Sequence, residues 1–201
     1  MTKPPSPTSH RMQARIIDAV VETVATRGLS GTTLANVAAT AGVSQGVLVF
    51  HFKSKDRLLG ETLRRLGEEY RQAWEPALKA RDPLAQILGL IRADFSPEVC
   101  SPKKLALWFA FWGEAAAEQL YKQICEEAED LRYKAMVGVC TKLGQSGAGP
   151  DPVLLAHSID AMTDGLWLQM HIYGQRVGRR DALDKALGHL RLLLPALAQQ
   201  I

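Results

Sequence analysis

A chain of 201 residues, 47% hydrophobic and 22% charged, is long enough to bury a sizeable core in one large or two small domains. Its formal net charge of +3 is too small to argue nucleic-acid binding by itself, and its three cysteines, Cys100, Cys125 and Cys140, contain no CxxC pair. An odd number of scattered thiols fits a reducing cytoplasm and excludes both a disulfide framework and a zinc site.

In chain order, MTKPPSPTSH is rich in proline and serine and lacks the apolar centre of a signal peptide, so residues 1–10 are expected to form a flexible arm. Ile16, Ile17, Val20, Val21 and Val24 make the apolar stripe of a first helix, which Gly28 ends. Two short helices follow, from Leu34 to about Ala41 and from Gln45 to about His51. A long helix opens at Ser54 or Lys55 and runs to about Ala80, with Pro76 set to kink or shorten it. Asp82 caps a helix that has Pro83 in its first position and reaches about Asp94. Beyond the FSPEVCSPKK loop, helices are predicted over 102–118, 119–144, 151–174 and 181–198. The third of these follows the GQSGAGPDP break, and Pro195 disturbs the end of the last. No alternating strand pattern persists, so the predicted fold class is all-α. The strongest apolar run, Leu105 to Trp112, falls far short of the ~20 residues needed to span a bilayer.

The two short helices carry the most specific pattern. Thr32 and Thr33 are N-cap residues for the first, and Leu34, Val37, Ala38 and Ala41 form its apolar face. Gly42 supplies a left-handed C-cap, and Ser44 is placed to cap the second helix, which buries Val47 and Leu48. Caps, glycine and the small Ala38 agree in phase with a helix-turn-helix, whose second helix docks in the DNA major groove. Such docking places Gln45, Val47, Val49 and Phe50 near base edges, Gln45 being able to make a bidentate contact to adenine. Thr33, Ser44, His51 and Lys55 would meet phosphates, Lys55 at a helix N-terminus whose amides also face the anion. Charge concentrates in the same region: residues 1–65 hold nine Lys or Arg against four Asp or Glu, +5, which leaves −2 for the remainder.

Over residues 11–65 the chain resembles the TetR family of transcriptional repressors. Ala38, Gly42, Val43, Ser44, Gly46 and Leu48, then Phe52, Lys53, Ser54, Lys55, Asp56, Leu58 and Leu59, carry the likeness. Where many members have tyrosine, histidine, tyrosine before the phenylalanine, this chain has Val49, Phe50 and His51, so no operator sequence carries over. The resemblance implies a three-helix DNA-binding domain over 11–65, with Gly46 at the interface, and a ligand-binding and dimerisation domain over 66–201. Phe95, Val99, Leu105, Ala106, Trp108 to Trp112, Tyr121 and Asp164 to Leu168 further resemble the BetI branch, repressors of choline-to-betaine genes that choline releases from DNA.

Trp108, Trp112 and Trp167 are three of the four tryptophans, and Asp160 and Asp164 share a helix with Trp167. Aromatic faces with a balancing carboxylate hold a quaternary ammonium. Trp108, Phe109, Trp112, Asp160, Asp164 and Trp167 are therefore the expected effector-binding residues, with choline or a related cation as effector. An unrelated metabolite or drug is the alternative. His157, Asp160, Asp164, Trp167 and His171 fall on one stripe, which also admits a metal-dependent enzyme using His157, Asp160 and Asp164. No Gly-rich phosphate loop, GxSxG elbow or HExxH occurs, and no second ligand set faces the stripe, so the chain is expected to be a regulator without enzymatic activity, cofactor or metal. The last two helices are apolar on several sides (Val153, Leu154, Ile159, Met162 and Leu168, then Leu187, Leu190 and Leu192), which predicts a homodimer.

Overall fold

The computed structural model describes residues 7–145 and 150–201. Part of the expected arm, residues 1–6, and most of the GQSGAG segment, 146–149, lie outside the described residues. The described residues form helices and turns with no strand. Two compact units result, Met1–Leu66 with Ala106–Cys125, and Gly67–Leu105 with Glu126–Ile201.

In the first unit, α1 (Pro7–Arg27) packs on α2 (Leu34–Ala41), and α2 on α3 (Gln45–Phe52). Helix α1 opens at Pro7, whose missing N–H is not needed in a first turn, so helix occupies Pro7–His10 where an arm was expected. Its stripe is buried at Ile16, Val20 and Val24. These join Val37, Ala38 and Ala41 of α2, Leu48 and Phe52 of α3, and Leu58, Leu59 and Leu63 of α4 (Lys55–Trp74) as core residues. The segment Ala106–Cys125 clusters with this unit. It comprises most of α6 (Pro102–Ala115) and the start of α7 (Gln119–Gly144). Helix α6 stops three residues before the expected end, where the amides of Ala117 and Glu118 both donate to the Glu114 carbonyl.

In the second unit, α4 gives way after Trp74 to a 3-10 turn, Glu75–Lys79. Pro76 lacks an N–H and its ring clashes with the carbonyl four residues back, so the α-helix does not reach Ala80. The carbonyls left over are collected by buried Gln86 of α5 (Pro83–Asp94), whose Nε2 donates to Leu78 and Ala80 at 2.7 Å each. The turn and α5 pack closely: a Cβ on Gly89 would lie 2.7 Å from that of Ala77. Helix α8 (Pro152–Tyr173) and α5 both pack on α9 (Arg179–Leu193), which ends two residues before Pro195. Asp82 and Asp151 cap α5 and α8 through the amides of Ala85 and Leu154, 2.9 Å in each case.

Gly42 has φ +63°, and a Cβ there would sit 2.9 Å from the guanidinium of Arg15. Gly42→Ala adds left-handed strain to that contact and should lower stability by roughly 1–2 kcal/mol in urea denaturation.

Candidate nucleic-acid interface and effector site

Helix α2 starts as its cap predicts, with Thr33 Oγ1 accepting from the Asn36 amide at 3.1 Å. It ends in a left-handed turn in which the amides of Gly42 and Val43 donate to Ala39 and Ala38. The chain bends by 106° between α2 and α3, within the helix-turn-helix range. Ser44 stands at the N-cap of α3 with extended backbone, but its hydroxyl makes no capping bond, against expectation. That hydroxyl stays available on an exposed residue.

Helix α3 buries Leu48 and Phe52 and leaves Val47 half-buried. Gln45 and Gly46 are exposed, with Val49 at 44% and Phe50 at 71% exposure. His51 is half-buried between the rings of Phe50 and Phe52. The passage into α4 is tight. Lys53 adopts φ +69°, ψ −43°, and the Ser54 amide donates to the Phe52 carbonyl at 2.8 Å, which closes a strained γ-turn. Ser54 Oγ then caps α4 through the Arg57 amide, placing half-buried Lys55 in the first turn. Thr33, Ser44, Gln45, Gly46, Val49 and Phe50 are thus all exposed.

The residues expected at an effector site fall into two groups. In the first unit, Trp112 packs its ring against Trp108 at 6.0 Å and edge-on against Phe109 at 5.1 Å. Trp108 is 1% exposed and serves as core, while Phe109 and Trp112 are half-buried. Asp160, Asp164 and Trp167 belong to the second unit and meet residues the sequence did not single out.

There, Asp94 is completely buried at the end of α5. Arg132 of α7 reaches it with Nη2 at 2.5 Å, and Tyr70 donates its hydroxyl at 2.9 Å. The Trp167 indole donates to the Asp94 carbonyl at 3.0 Å and stands edge-on to Tyr70, centroids 5.7 Å apart. Arg132 also holds Asp160 at 3.1 Å. Burial raises the Asp94 carboxyl, while Arg132 and Tyr70 oppose that rise. Burial would lower the Arg132 guanidinium, but Asp94, Tyr70 and Asp160 keep it above its ordinary value. Burial, then Asp164 and Asp160, push Glu129 up to about 8. The surrounding protein, then Asp160 and Asp94, push Asp164 up to about 6, although its side chain opens to solvent. Arg132 thus pairs directly with Asp94 and Asp160, and Glu129 and Asp164 lie within the electrostatic reach of the same cluster.

The metal-enzyme alternative finds no support in this arrangement. Asp160 is engaged by Arg132, His157 and His171 are exposed, and among the described residues no three His, Cys, Asp or Glu side chains gather as a metal site. The cysteines are all buried, and burial pushes Cys100 and Cys140 up to about 12. Tyr70, Asp94 and Arg132 were missed because their partners lie 24 to 73 residues away. The one local signal was an aspartate at the last position of a helix, where the dipole disfavours negative charge unless a cation is supplied.

Glu129 generates a pH test. Its ordinary value is 4.5, so the folded protein keeps a proton that the unfolded chain releases, and stability falls as pH rises from about 4.5 to about 8. Glu129→Gln should match the wild type in urea denaturation near pH 4 and exceed it by roughly 1–3 kcal/mol at pH 8.

Comparison with known proteins agrees with this geometry. Residues 16–62 match the family model of bacterial regulatory proteins of the tetR family, and residues 83–195 that of the BetI-type transcriptional repressor C-terminal region. The HTH-type transcriptional regulator BetI of Paraburkholderia phymatum is 31% identical over 199 residues, covering 90% of this chain and 92% of that protein. A Burkholderia ambifaria regulator of the same name is 28% identical, with 90% and 93% covered. Among solved structures, a transcriptional regulator from Pseudomonas aeruginosa PAO1 superposes with a TM-score of 0.81 at 23% identity, over 98% of this chain and 96% of that one. A regulator from Saccharomonospora viridis, solved in complex with choline, gives 0.81 at 18% identity, over 92% and 98%. No single helix among the described residues is long and apolar enough to cross a membrane. The chain belongs to the TetR family of bacterial regulatory proteins, with a C-terminal region of the BetI type, and is a DNA-binding transcriptional repressor, not an enzyme.

Proposed function

We propose that this repressor binds its operator as a homodimer in the cytoplasm and leaves DNA when a small cation, choline or a close relative, occupies its second unit. DNA binding is assigned to residues 11–65, with Gln45, Gly46, Val47, Val49 and Phe50 toward bases and Thr33, Ser44, His51 and Lys55 toward phosphates. Sensing and dimerisation are assigned to residues 66–201.

The observation that carries the effector reading is the charge imbalance around Arg132. Asp94 and Asp160 are paired with it, whereas burial first, and then the neighbouring carboxyls, raise Glu129 to about 8 and Asp164 to about 6. A bound cation relieves that repulsion, and Tyr70 and Trp167 supply aromatic surface in the same cluster. Of the six residues expected from the sequence, Asp160, Asp164 and Trp167 are the ones proposed to serve the effector here. Trp108, Phe109 and Trp112 form a separate aromatic cluster, to which the proposal gives no ligand contact. The choline complex of the Saccharomonospora viridis regulator and the BetI relatives support the same class of ligand. For release to follow, the cation must bind the DNA-incompetent state more tightly, with α4 carrying the change toward α3.

The dimer reading rests on α8 and α9. Val153, Leu154, Leu168, Ile172 and Tyr173 of α8 are 43–60% exposed, and Leu192 of α9 is 79% exposed. Leu154, Ala161, Gly165, Leu168 and Ile172 recur at steps of seven, four, three and four, one continuous stripe along α8. Uncovered leucines and isoleucine on one line match a helix face that a second copy covers.

Three outcomes are expected. Lys55→Ala should weaken binding to all DNA sequences alike and reduce the salt slope by about one, read by fluorescence anisotropy across salt concentrations; a changed sequence preference would reassign Lys55 from phosphate to base. Leu168→Glu with Ile172→Glu should convert a sedimenting dimer into a monomer at micromolar concentration, and a wild-type monomer there would sink the dimer. Titration calorimetry of choline at pH 7.5, in two buffers of different ionisation enthalpy, should record proton release that Glu129→Gln abolishes. No heat with millimolar choline, together with undiminished operator binding, would overturn the effector reading.

A further inference from the structure

Phe50 is the most exposed aromatic side chain recorded on α3, at 71%, and its setting is ordered rather than loose. The ammonium of Lys53 lies over the ring, 5.6 Å from its centroid, and donates to the Phe50 carbonyl at 3.0 Å. The His51 imidazole meets the ring at 84° with centroids 5.1 Å apart. Lys53 in turn is held in place by its left-handed backbone. The ring is thus propped on two sides before any partner arrives, which lowers the ordering cost of binding.

One turn earlier on the same face stands Gly46, where an added Cβ would meet only the Ser44 hydroxyl, at 3.6 Å. A bare backbone beside a propped phenyl ring makes a shallow apolar step, and Val49 adds a further apolar side chain at 44% exposure. Phe50 has no hydrogen-bonding group, so it cannot read a carbonyl, an amine or a ring nitrogen. The apolar group that a base pair presents in the major groove is the thymine 5-methyl. Charge selects the occupant: Lys53, Lys55 and Arg57 follow within seven residues against Asp56 alone, which suits a phosphate-lined groove and not an apolar protein surface.

We infer that each operator half-site carries a thymine whose 5-methyl group packs against Phe50 over Gly46, making Phe50 a specificity-determining residue. This rests on the DNA-reading role assigned above to α3. The methyl is read as volume: it fills the step and displaces water from the ring, while cytosine leaves the step empty and offers an amine with no acceptor. Burying one methyl group corresponds to about a four-fold gain in affinity per half-site.

The experiment uses the full chain and a duplex selected from a random-sequence pool, with each thymine then replaced in turn by deoxyuridine, which lacks only the methyl. At one thymine per half-site the replacement should weaken binding about four-fold, and about fifteen-fold when made in both half-sites. Phe50→Ala should weaken binding to the thymine duplex and become indifferent to deoxyuridine at that position. Circular dichroism should be unchanged, because the side chain is exposed. Phe50→Leu should keep part of the preference. Equal affinity of the wild type for every deoxyuridine duplex overturns the inference while leaving DNA reading by α3 intact, and so does Phe50→Ala retaining the full thymine preference. Failure of the selection to enrich any sequence overturns both.

Discussion

The second unit is organised around the burial of one negative charge. Asp94 is withdrawn from water at the end of α5, and three other helices send a donor to it: Tyr70 from α4, Arg132 from α7 and Trp167 from α8. Moving a carboxylate and a guanidinium out of water costs several kcal/mol apiece, returned only if every lone pair and proton finds a partner. Breaking such a pair from one side costs about 3–5 kcal/mol, whereas an apolar replacement of both partners is often neutral. The network therefore fixes which residues must meet more than it adds to stability. It also leaves Asp160, Glu129 and Asp164 sharing what remains of one cation's field.

The first unit is governed by backbone geometry instead. Val37, Ala38 and Ala41 give α2 a short, close-packed face, and the left-handed turn at Gly42 redirects the chain so that α3 buries only Leu48 and Phe52. The remaining surface of α3 is free to carry side chains chosen for what they touch outside the protein. Strain at Lys53 is tolerated because three local hydrogen bonds surround it, from its own amide, from its ammonium and from the Ser54 amide. Core and exposed surface are separated around one two-turn helix: the face of Leu48 and Phe52 holds it down, and the face of Gln45, Gly46, Val49 and Phe50 points outward.

Nearly all of the helix pattern was legible, because its determinants are local. Thr33, Asp82 and Asp151 each cap the helix they precede, and Gly42 ends α2 in the conformation glycine favours. The early end of α4 at Pro76 was legible as well; the boundary that slipped was that of α6, which stops at Ala115, and Ser44 occupies its cap position without making the cap bond. The exposure of the α3 residues was legible for the same reason, since helix phase decides it. The charged cluster was not. Arg132 sits in a stretch of α7 dense in charge, EEAEDLRYK, that reads as a solvated face, and nothing nearby in sequence marks it as 2% exposed. Asp160 and Trp167 were found on composition and spacing, without the partner that determines their chemistry.

The γ-turn at Lys53 has a mechanical meaning. Its hydrogen bond spans a single intervening residue, so the joint between α3 and α4 has almost no slack, and Ser54 locks the far side of it through the Arg57 amide. A hinge with a longer loop would absorb a small rotation; this one transmits it. Helix α4, 20 residues long, is a rod of about 30 Å. The first turn of α4 is therefore fixed to the last turn of α3, and any reorientation of one carries the other.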